Sequence, residues 1–334
     1  MCKNNTHLSR ANQSFANNIV LIDGFSKSGK SVIAPIFGYL DRSEQWQIDF
    51  MFEYLSALKH IDGISDESYK AMLCTSADML LYNLRVGRYV NFRNTDNTSP
   101  YNDGLYERYL SRTKKKDGDI ITNEINNINP ILPIHLHFIF GHSDALYRGF
   151  GDRLKLWLIV FRDPAYLIDS WHEKGWVNKI CKLERSFQLC CDYNGRNIPW
   201  FAIKYADEYI GASRLEKAIL TIYYWYMGVF FNYNNLSELQ KDKTIIVVFE
   251  KYIKDPNKYI DTICNILNTE RSSDFDKIMQ RLSLPRDSCS SSNSFSFKDF
   301  LEKYEKEISN KYIKIIKKLD KDYKEFVNNL VIND

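Results

Sequence analysis

The amino-acid sequence predicts an α/β protein with a doubly wound, mostly parallel central sheet that is flanked by helices. Nearly continuous apolar runs, bounded by charged or turn residues, occur at residues 19–22, 156–161 and 245–249. Such runs are typical of strands that are buried on both faces. A stretch with helical character follows each run, at residues 31–40, 164–174 and 255–267. This alternation of strand and helix favours a parallel sheet.

The remaining segments predict additions around that core. Residues 131–140 are a fourth strand candidate, interrupted near its start by Pro133. Polar stretches predict loops, and the C-terminal stretch mixes Lys and Glu with spaced apolar residues, which indicates one or two amphipathic surface helices. The loops are predicted at residues 93–104, 111–119 and 288–294, and the C-terminal helices at residues 298–329. Helical insertions complete the predicted fold.

Composition indicates one folded domain. The chain has 334 residues, of which 44% are hydrophobic and 26% are charged, and it has no Gly/Ser/Pro-rich linker between halves. We therefore predict a polar N-terminal segment, residues 1–17, followed by a single domain over residues 18–334. The formal net charge is only +3, which disfavours a dedicated nucleic-acid binder. The sequence leaves the oligomeric state open.

Cysteines and apolar stretches predict a cytoplasmic protein. The seven cysteines are scattered and include no C-x-x-C pair, so the sequence predicts neither a disulfide framework nor a zinc site. The N-terminal stretch lacks the apolar region of a signal peptide. The most apolar stretch, residues 219–231, is shorter than the roughly 20 residues that span a bilayer, so we expect a buried core helix there and no membrane span.

Residues 24–31, GFSKSGKS, predict an anion-binding loop. They fit the pattern G-x-x-x-x-G-K-[ST], and they follow the first predicted strand and precede a predicted helix. The glycines let the backbone curl so that N–H groups point inward, and the lysines add positive charge for phosphate or sulfate oxygens. In a Walker A loop, Lys30 would hold the β- and γ-phosphates of ATP and Ser31 would bind Mg²⁺. The pattern alone leaves the identity of the anion open.

In a second register the same loop resembles a sulfotransferase loop. Residues 27–31, KSGKS, resemble the K-S-G-T-T sequence with which sulfotransferases bind 3′-phosphoadenosine 5′-phosphosulfate (PAPS). Residues 162–170, RDPAYLIDS, resemble the second signature of that family, R-[DN]-P-x-x-x-x-x-S. Residues 247–256 resemble its late strand and helix start. The resemblance spans residues 19 to about 268 but not residues 50–128, and Lys30 stands where the family usually has threonine.

The resemblance implies how the donor is held and what is left after transfer. In that family the arginine and the serine of the second signature bind the 3′-phosphate of the donor, a group that ATP lacks. A guanidinium is suited to this role because it offers a planar fork of hydrogen-bond donors to a phosphate. After PAPS has given up its sulfuryl group, 3′,5′-adenosine bisphosphate remains. The resemblance implies no metal. The implied donor-binding residues are Lys27, Ser28, Gly29, Lys30 and Ser31 in the loop, with Arg162 and Ser170 at the 3′-phosphate.

Sulfuryl transfer to a hydroxyl or amine needs a base, and histidine titrates near neutral pH without help. His135 and His137 lie in the region where many sulfotransferases have a catalytic histidine, and His142 is a weaker candidate. Asp49 or Glu53 is the alternative, since some members of the family use glutamate. Lys27 and Lys30 are expected to stabilise charge on the bridging oxygen and the departing phosphate. The predicted catalytic residues are Lys27, His135 and His137.

These observations predict a sulfotransferase that moves a sulfuryl group from PAPS to a hydroxyl or amine of a small-molecule or glycan acceptor. The alternative is a Mg·ATP-dependent phosphotransferase that uses Lys30 and Ser31, with Asp163 as a magnesium ligand. A non-enzymatic nucleotide-binding module is disfavoured by the balanced charge and by the lack of a base-stacking motif.

Overall fold

A five-stranded parallel sheet forms the centre of the molecule. The computed structural model describes residues 7–10, 13–116, 118–287 and 295–330. The strands of the sheet are β1 (Asn18–Asp23), β2 (Gln47–Ile48), β3 (Ile131–His135), β4 (Leu154–Phe161) and β7 (Thr244–Val248). Their order is β2-β3-β1-β4-β7, and every pairing between them is parallel. The predicted parallel α/β architecture is confirmed.

Helices and one hairpin surround the sheet. The antiparallel hairpin consists of β5 (Cys190–Tyr193) and β6 (Arg196–Pro199). The helices before β4 are α1 (Lys30–Ile33), α2 (Phe50–His60), α3 (Asp66–Arg85), α4 (Tyr106–Arg112), α5 (Asp119–Ile128) and α6 (Ala145–Phe150). Those between β4 and β7 are α7 (Pro164–Lys174), α8 (Trp176–Lys179), α9 (Ala206–Gly211), α10 (Arg214–Asn234) and α11 (Glu238–Lys241). The last are α12 (Phe249–Tyr252), α13 (Pro256–Leu267), α14 (Phe275–Arg281), α15 (Phe297–Tyr304) and α16 (Asn310–Asn329).

The strand order places a crevice at the carboxyl ends of β1 and β4. The chain leaves β1 toward β2 and β3 on one side and continues through β4 and β7 on the other side. In open α/β sheets, ligands bind outside the carboxyl ends of the strands where the winding direction reverses. Gly24 follows β1, Arg162 follows β4 and Phe249 follows β7. The predicted loop and the predicted arginine therefore leave neighbouring strands at the same edge.

Apolar packing joins the helices to the sheet. Trp157 and Phe161 of β4 are fully buried. Their rings contact those of Tyr147 in α6 and Tyr226 in α10, at centroid distances of 5.0 and 5.1 Å. Helix α10 includes the predicted core helix at residues 219–231, and α13 also packs against β4. Among the described helices, none combines the length and the apolar character that a bilayer span requires.

Two elements near the site differ from the prediction. The helix expected at residues 31–40 is only α1, followed by a 3₁₀ helix, Ala34–Tyr39, because Pro35 has no N–H to continue the α-helical ladder. The strand expected at residues 131–140 ends at His135, and Phe138 has a left-handed φ of +48°. The chain therefore turns after β3 and carries residues 136–140 across the end of the sheet.

The prediction of reduced cysteines was wrong for one pair. Cys181 and Cys190 form a disulfide, with Cα atoms 5.8 Å apart. These two cysteines are nine residues apart and belong to no spacing motif, so only the turn of the chain between them reveals the pair. Cys74, Cys191 and Cys264 are free thiols. Cys2, Cys289 and the predicted loop at residues 288–294 lie outside the described residues.

Candidate active site

The loop after β1 has the curled backbone that the glycine pattern predicts. Gly24, Lys27 and Gly29 have φ values of +136°, +76° and +109°. A Cβ atom on Gly24 would lie 2.6 Å from the carbonyl oxygen of Val160, and one on Gly29 would overlap the ring of Phe249. Glycine is therefore required at both positions by close approach as well as by backbone conformation.

Several polar groups of this loop lack a protein partner. The N–H of Ser28 donates to the carbonyl of Phe25 at 3.1 Å. In the described part of the chain, the N–H groups of Gly29, Lys30 and Ser31 donate to nothing, and the buried Ser28 Oγ has no hydrogen bond. Buried polar groups without partners are rare in proteins, and successive N–H groups in a curled loop form an anion-binding concavity. The loop therefore fits a phosphate or sulfate group.

The two lysines of the loop have different environments. Lys30 is buried, and its Nζ donates to the carbonyl oxygens of Gly24 and, at 3.2 Å, Phe25. Burial lowers the pKa of Lys30 to about 8, although the negative charges of Asp23 and Glu53 oppose that shift. Lys27 is exposed. In this conformation Lys30 stabilises the loop from within, and Lys27 is the lysine that is open to a ligand.

Asp23 ties the loop to the segment after β3. Its carboxylate is fully buried and accepts from the N–H groups of Gly24 at 2.7 Å, Ile139 at 3.0 Å and Phe140 at 2.6 Å. Burial raises the pKa of Asp23, and Lys30 and the three N–H groups oppose that shift. Asp23 was not among the site residues predicted from the sequence. The feature that could have identified it is its position, because Asp23 is an acidic residue at the end of an apolar strand, directly before the glycine loop.

Arg162 contacts the loop from the adjacent strand. Its side chain is buried, and Nη1 donates to the carbonyl oxygen of Lys27 at 3.3 Å. The guanidinium carbon lies 4.0 Å from the ring centroid of Tyr166 and 4.4 Å from that of Phe249. Within the described ranges, the buried Nη2 has no hydrogen-bond partner. Arg162 thus presents an unused donor beside the anion-binding loop.

Carboxylates flank Arg162 without fully neutralising it. Glu250 Oε1 lies 3.4 Å from Nε of Arg162, and partial burial raises the pKa of Glu250 although the arginine opposes the shift. Asp163 accepts from the N–H of Ala165 at 2.8 Å and caps α7, and burial raises its pKa to about 6. A raised pKa weakens both groups as permanent counter-ions for Arg162. Ser170 is half-buried on α7, one helical turn beyond Tyr166.

His137 forms a pair with a buried carboxylate. Its Nδ1 lies 2.7 Å from Glu53 Oε1, and its backbone N–H donates to the same oxygen at 3.1 Å. Glu53 belongs to α2 and is buried. With Nδ1 donating to the carboxylate, Nε2 of the neutral ring is left as an acceptor. A histidine oriented in this way is suited to take a proton from a hydroxyl.

The other base candidates fit less well. His135 is buried at the end of β3, and burial, with Lys30 and His137, lowers its pKa well below the usual range. His142 packs among His60, Trp200 and Phe201, and burial lowers its pKa strongly as well. The Asp49 carboxylate accepts from the N–H of Met51 at 2.9 Å and caps α2. Because an efficient base has a pKa near the working pH, the strongly lowered pKa values make His135 and His142 poor candidates.

A cavity of about 190 Å³ lies between the loop and His137. Ser26 and His137 line it, together with the rings of Phe50, Trp171 and Trp176. Nε1 of Trp171 donates to the carbonyl oxygen of Ser26 at 3.3 Å, so the cavity wall is bonded to the loop. A molecule in this cavity would approach both the anion-binding loop and the proposed base.

Sequence reasoning missed several of these contacts. Tyr166 was recognisable as a partner of Arg162, because it lies four residues later at the start of a predicted helix. Phe249 was recognisable as the last residue of the apolar run at residues 245–249. Lys179 and Arg185 also line the cavity, but Lys179 ends the four-residue helix α8 and Arg185 lies in a short 3₁₀ helix, Glu184–Ser186. Neither segment is long enough to carry a periodic signal. In the portion of the chain that the structure describes, no group of three or more His, Cys, Asp or Glu side chains is placed to hold a metal ion.

Comparison with known proteins finds matches among solved structures. No family model matches the chain, and no curated protein matches it. Three of the matched solved structures are sulfotransferases. The sulfotransferase domain from the curacin biosynthetic pathway is 12% identical, with a TM-score of 0.44 over 94% of this chain and 98% of that one.

Two further solved structures are of the same kind. The sulfotransferase domain of the Synechococcus PCC 7002 olefin synthase is 11% identical, with a TM-score of 0.39 over 94% of this chain and 98% of that one. Sulfotransferase STF9 from Mycobacterium avium is 11% identical, with a TM-score of 0.39 over 87% of this chain and 77% of that one. The fold assignment for this chain rests on its own sheet order, and its function is argued from its own site.

Proposed function

We propose that this protein is a sulfotransferase that transfers the sulfuryl group of PAPS to a hydroxyl group of a small molecule. The observation that carries the proposal is the contact between Arg162 and the anion-binding loop, at 3.3 Å from Nη1 to the Lys27 carbonyl. A nucleotide with phosphate groups at both its 5′ and 3′ positions needs two cationic sites close together, and a guanidinium in contact with the loop supports that arrangement. ATP has no group for the second site.

The residues around the crevice fit such a donor. The N–H groups of Gly29, Lys30 and Ser31, with the Ser28 hydroxyl and the exposed Lys27, would hold the 5′-phosphosulfate. The free Nη2 of Arg162 would hold the 3′-phosphate, with Ser170 as a second contact farther along α7. Donors to an ionised oxygen form short, strong hydrogen bonds, and two of these groups are otherwise buried without a partner. When bound, the donor supplies a sulfuryl group with a phosphate leaving group.

His137 and Lys27 would carry the proton and charge transfers. Nε2 of His137 takes the proton of the acceptor hydroxyl while the hydroxyl oxygen bonds to sulfur. Glu53 stabilises the imidazolium that results, since its carboxylate accepts from Nδ1. The ammonium of Lys27 stabilises the negative charge that the leaving phosphate gains as the sulfur–oxygen bond breaks. His135 becomes a packing residue in this scheme.

A Mg·ATP-dependent phosphotransferase is the second candidate. One feature favours it, the Lys30-Ser31 sequence at the start of α1, with Ser31 exposed. Two contacts count against it: Lys30 is bonded to two loop carbonyls, and Asp163 caps α7. A cytoplasmic location stays a prediction, and the Cys181–Cys190 disulfide argues against it because disulfides persist in oxidising compartments.

Mass spectrometry tests the proposed reaction. The purified protein is incubated with PAPS and pooled hydroxyl acceptors, in parallel with Mg·ATP and the same pool. We expect a sulfate-sized gain in mass of at least one acceptor with PAPS and no phosphate-sized gain with ATP. Phosphorylated products in the second reaction, with no sulfated product in the first, would establish the phosphotransferase instead.

A further inference from the structure

The cavity beside His137 has walls of two chemical kinds. Aromatic rings form one part, and the side chains of Lys179 and Arg185 form another. Both cationic residues are exposed, and across the described ranges neither forms an ion pair with a carboxylate. Lys179 Nζ lies 5.4 Å from the ring centroid of Trp176. The buried carboxylate of Glu53 is already engaged by His137 and, at 3.4 Å, by Nε2 of Gln188. The rim of the cavity is therefore positively charged and unneutralised.

The size and the walls of the cavity restrict what it binds. Its volume of about 190 Å³ is below the roughly 300–1,000 Å³ that is typical of drug-sized ligands, so it fits a single ring. Phe50, Trp171 and Trp176 favour a flat apolar or aromatic body. A guanidinium and an ammonium at the rim favour a carboxylate, sulfonate or phosphate on that body.

Three links restrain the segment of the chain that carries Arg185. Arg185 lies between Cys181 and Cys190, so the disulfide closes its segment into a loop. Tyr54 Oη donates to the carbonyl of Phe187 at 2.7 Å, and Gln188 contacts Glu53. Tyr54 and Glu53 both belong to α2, the helix that orients His137. The loop is therefore held against the base-bearing helix, which reduces the entropic cost of binding a ligand to Arg185.

We propose that Arg185 and Lys179 select the acceptor, and that the acceptor is a single-ring phenol with an anionic group such as a carboxylate. The reaction in this assignment rests on the proposed sulfotransferase function, whereas the preference for negative charge rests on the cavity alone. The phenolic hydroxyl lies toward His137 and Ser26, and the anionic group lies toward the cationic rim. A neutral sugar would leave both cations without a partner.

Calorimetry with two matched phenols tests the assignment in the full chain. One probe is 4-hydroxybenzoate, and the other is 4-methylphenol, in which a methyl group replaces the carboxylate. At low salt we expect the carboxylate to bind about five- to tenfold more tightly, and added salt to reduce that advantage. Arg185→Gln and Lys179→Gln each remove part of the advantage and leave the affinity for 4-methylphenol unchanged. Lys182→Gln, in the same loop but outside the cavity lining, keeps the preference.

The outcomes separate this assignment from the proposed function. Equal affinity for the two phenols, no measurable binding of either at millimolar concentration, or an equal loss in Lys182→Gln overturns the acceptor assignment. 3′,5′-Adenosine bisphosphate is titrated into the same samples. If it binds while the phenols show no difference, only the acceptor assignment fails. If it does not bind while the carboxylate preference persists and depends on Arg185, the proposed function fails and the preference of the cavity for an anionic ligand stands.

Discussion

Nη1 of Arg162 lies 3.3 Å from the carbonyl oxygen of Lys27, although 135 residues separate them in the sequence. The two residues meet because β1 and β4 are parallel neighbours whose carboxyl ends form one edge of the sheet. The contact joins the anion-binding loop to a buried guanidinium with an unused donor. A nucleotide in the loop is consequently within reach of Arg162, and the first prediction depends on that geometry.

Replacing Arg162 should weaken binding of the 3′-phosphate selectively. In Arg162→Gln we expect the free energy of binding 3′,5′-adenosine bisphosphate to become less favourable by about 2–4 kcal/mol, because a buried charged hydrogen-bond donor is lost. The affinity for adenosine 5′-monophosphate, which lacks the 3′-phosphate, should change little. Isothermal titration calorimetry measures both.

The control for this substitution is Arg148→Gln. Arg148 is exposed and pairs with Asp144 on α6, so its removal should leave both affinities unchanged. Arg162→Lys shows whether the fork of donors or the charge alone is needed. An equal loss for both nucleotides in Arg162→Gln would mean that Arg162 shapes the loop and does not read the 3′-phosphate.

Lys27 should matter for turnover more than for donor binding. In Lys27→Ala we expect kcat to fall at least about 100-fold, because a positive charge at the departing phosphate is lost. The affinity for the bisphosphate should fall much less. Lys254→Ala, at an exposed position after α12, serves as the control. Turnover within a few-fold of the unmodified protein in Lys27→Ala would remove Lys27 from the catalytic residues.

The His137–Glu53 pair should determine how fast the acceptor hydroxyl is deprotonated. In His137→Ala we expect kcat to fall about 10²- to 10⁴-fold, as for loss of a general base. In Glu53→Gln we expect a smaller fall in kcat, because a carboxamide stabilises the imidazolium that forms on His137 less well than a carboxylate does. His135→Asn should retain most of its activity. A large loss in His135→Asn with little loss in His137→Ala would exchange the roles of the two histidines.

Much of the fold was predictable because the strands that form the centre of the sheet are buried on both faces. The apolar runs of β1, β4 and β7 show this directly, and α7 and α13 begin with Asp-Pro, which combines a cap with a fixed first residue. Strand β2 has only two residues, which is too few for a periodic pattern. The helices between β2 and β3 lie in a region that the sulfotransferase motifs do not cover. The sequence therefore predicted helical insertions but not where each helix begins and ends.

The site was predictable where it depends on strand ends and was not where it depends on tertiary contacts. The loop at Lys27 and the arginine at 162 follow from the rule that parallel strands end at a common edge. The pairing of Glu53 with His137 joins residues 84 positions apart, and sequence alone left the two as rival bases. The cavity rim at Arg185 depends on a disulfide whose spacing carries no motif.

A buried ion cluster should govern acid stability. Burial alone would raise the pKa of Glu44, but Arg112, Arg108 and Arg85 outweigh it and lower the pKa to about 2. Because the folded-state pKa lies below the ordinary value of 4.5, the stabilisation is present above pH 4.5 and is lost as the pH falls toward 2. The loss amounts to about 3 kcal/mol in the free energy of unfolding.

Urea unfolding between pH 5.5 and 2.5 measures this contribution. We expect Glu44→Gln to be less stable than the unmodified protein at neutral pH, since it leaves buried arginines without a counter-ion, and to lose less stability on acidification. Glu107→Gln, which removes an exposed carboxylate on α4, should keep the original pH dependence. If the free energy of unfolding changes with pH in the same way for the unmodified protein and for Glu44→Gln, Glu44 does not control the loss of stability in acid.

The most direct test is a calorimetric titration of the unmodified protein with 3′,5′-adenosine bisphosphate in the presence of a chelator, beside a titration with Mg·ATP. The proposed site predicts that the bisphosphate binds without metal and more tightly than Mg·ATP by at least about tenfold, a difference of about 1.4 kcal/mol. Tighter binding of Mg·ATP, with no advantage from a 3′-phosphate, would contradict the donor assignment and the transferase class derived from it.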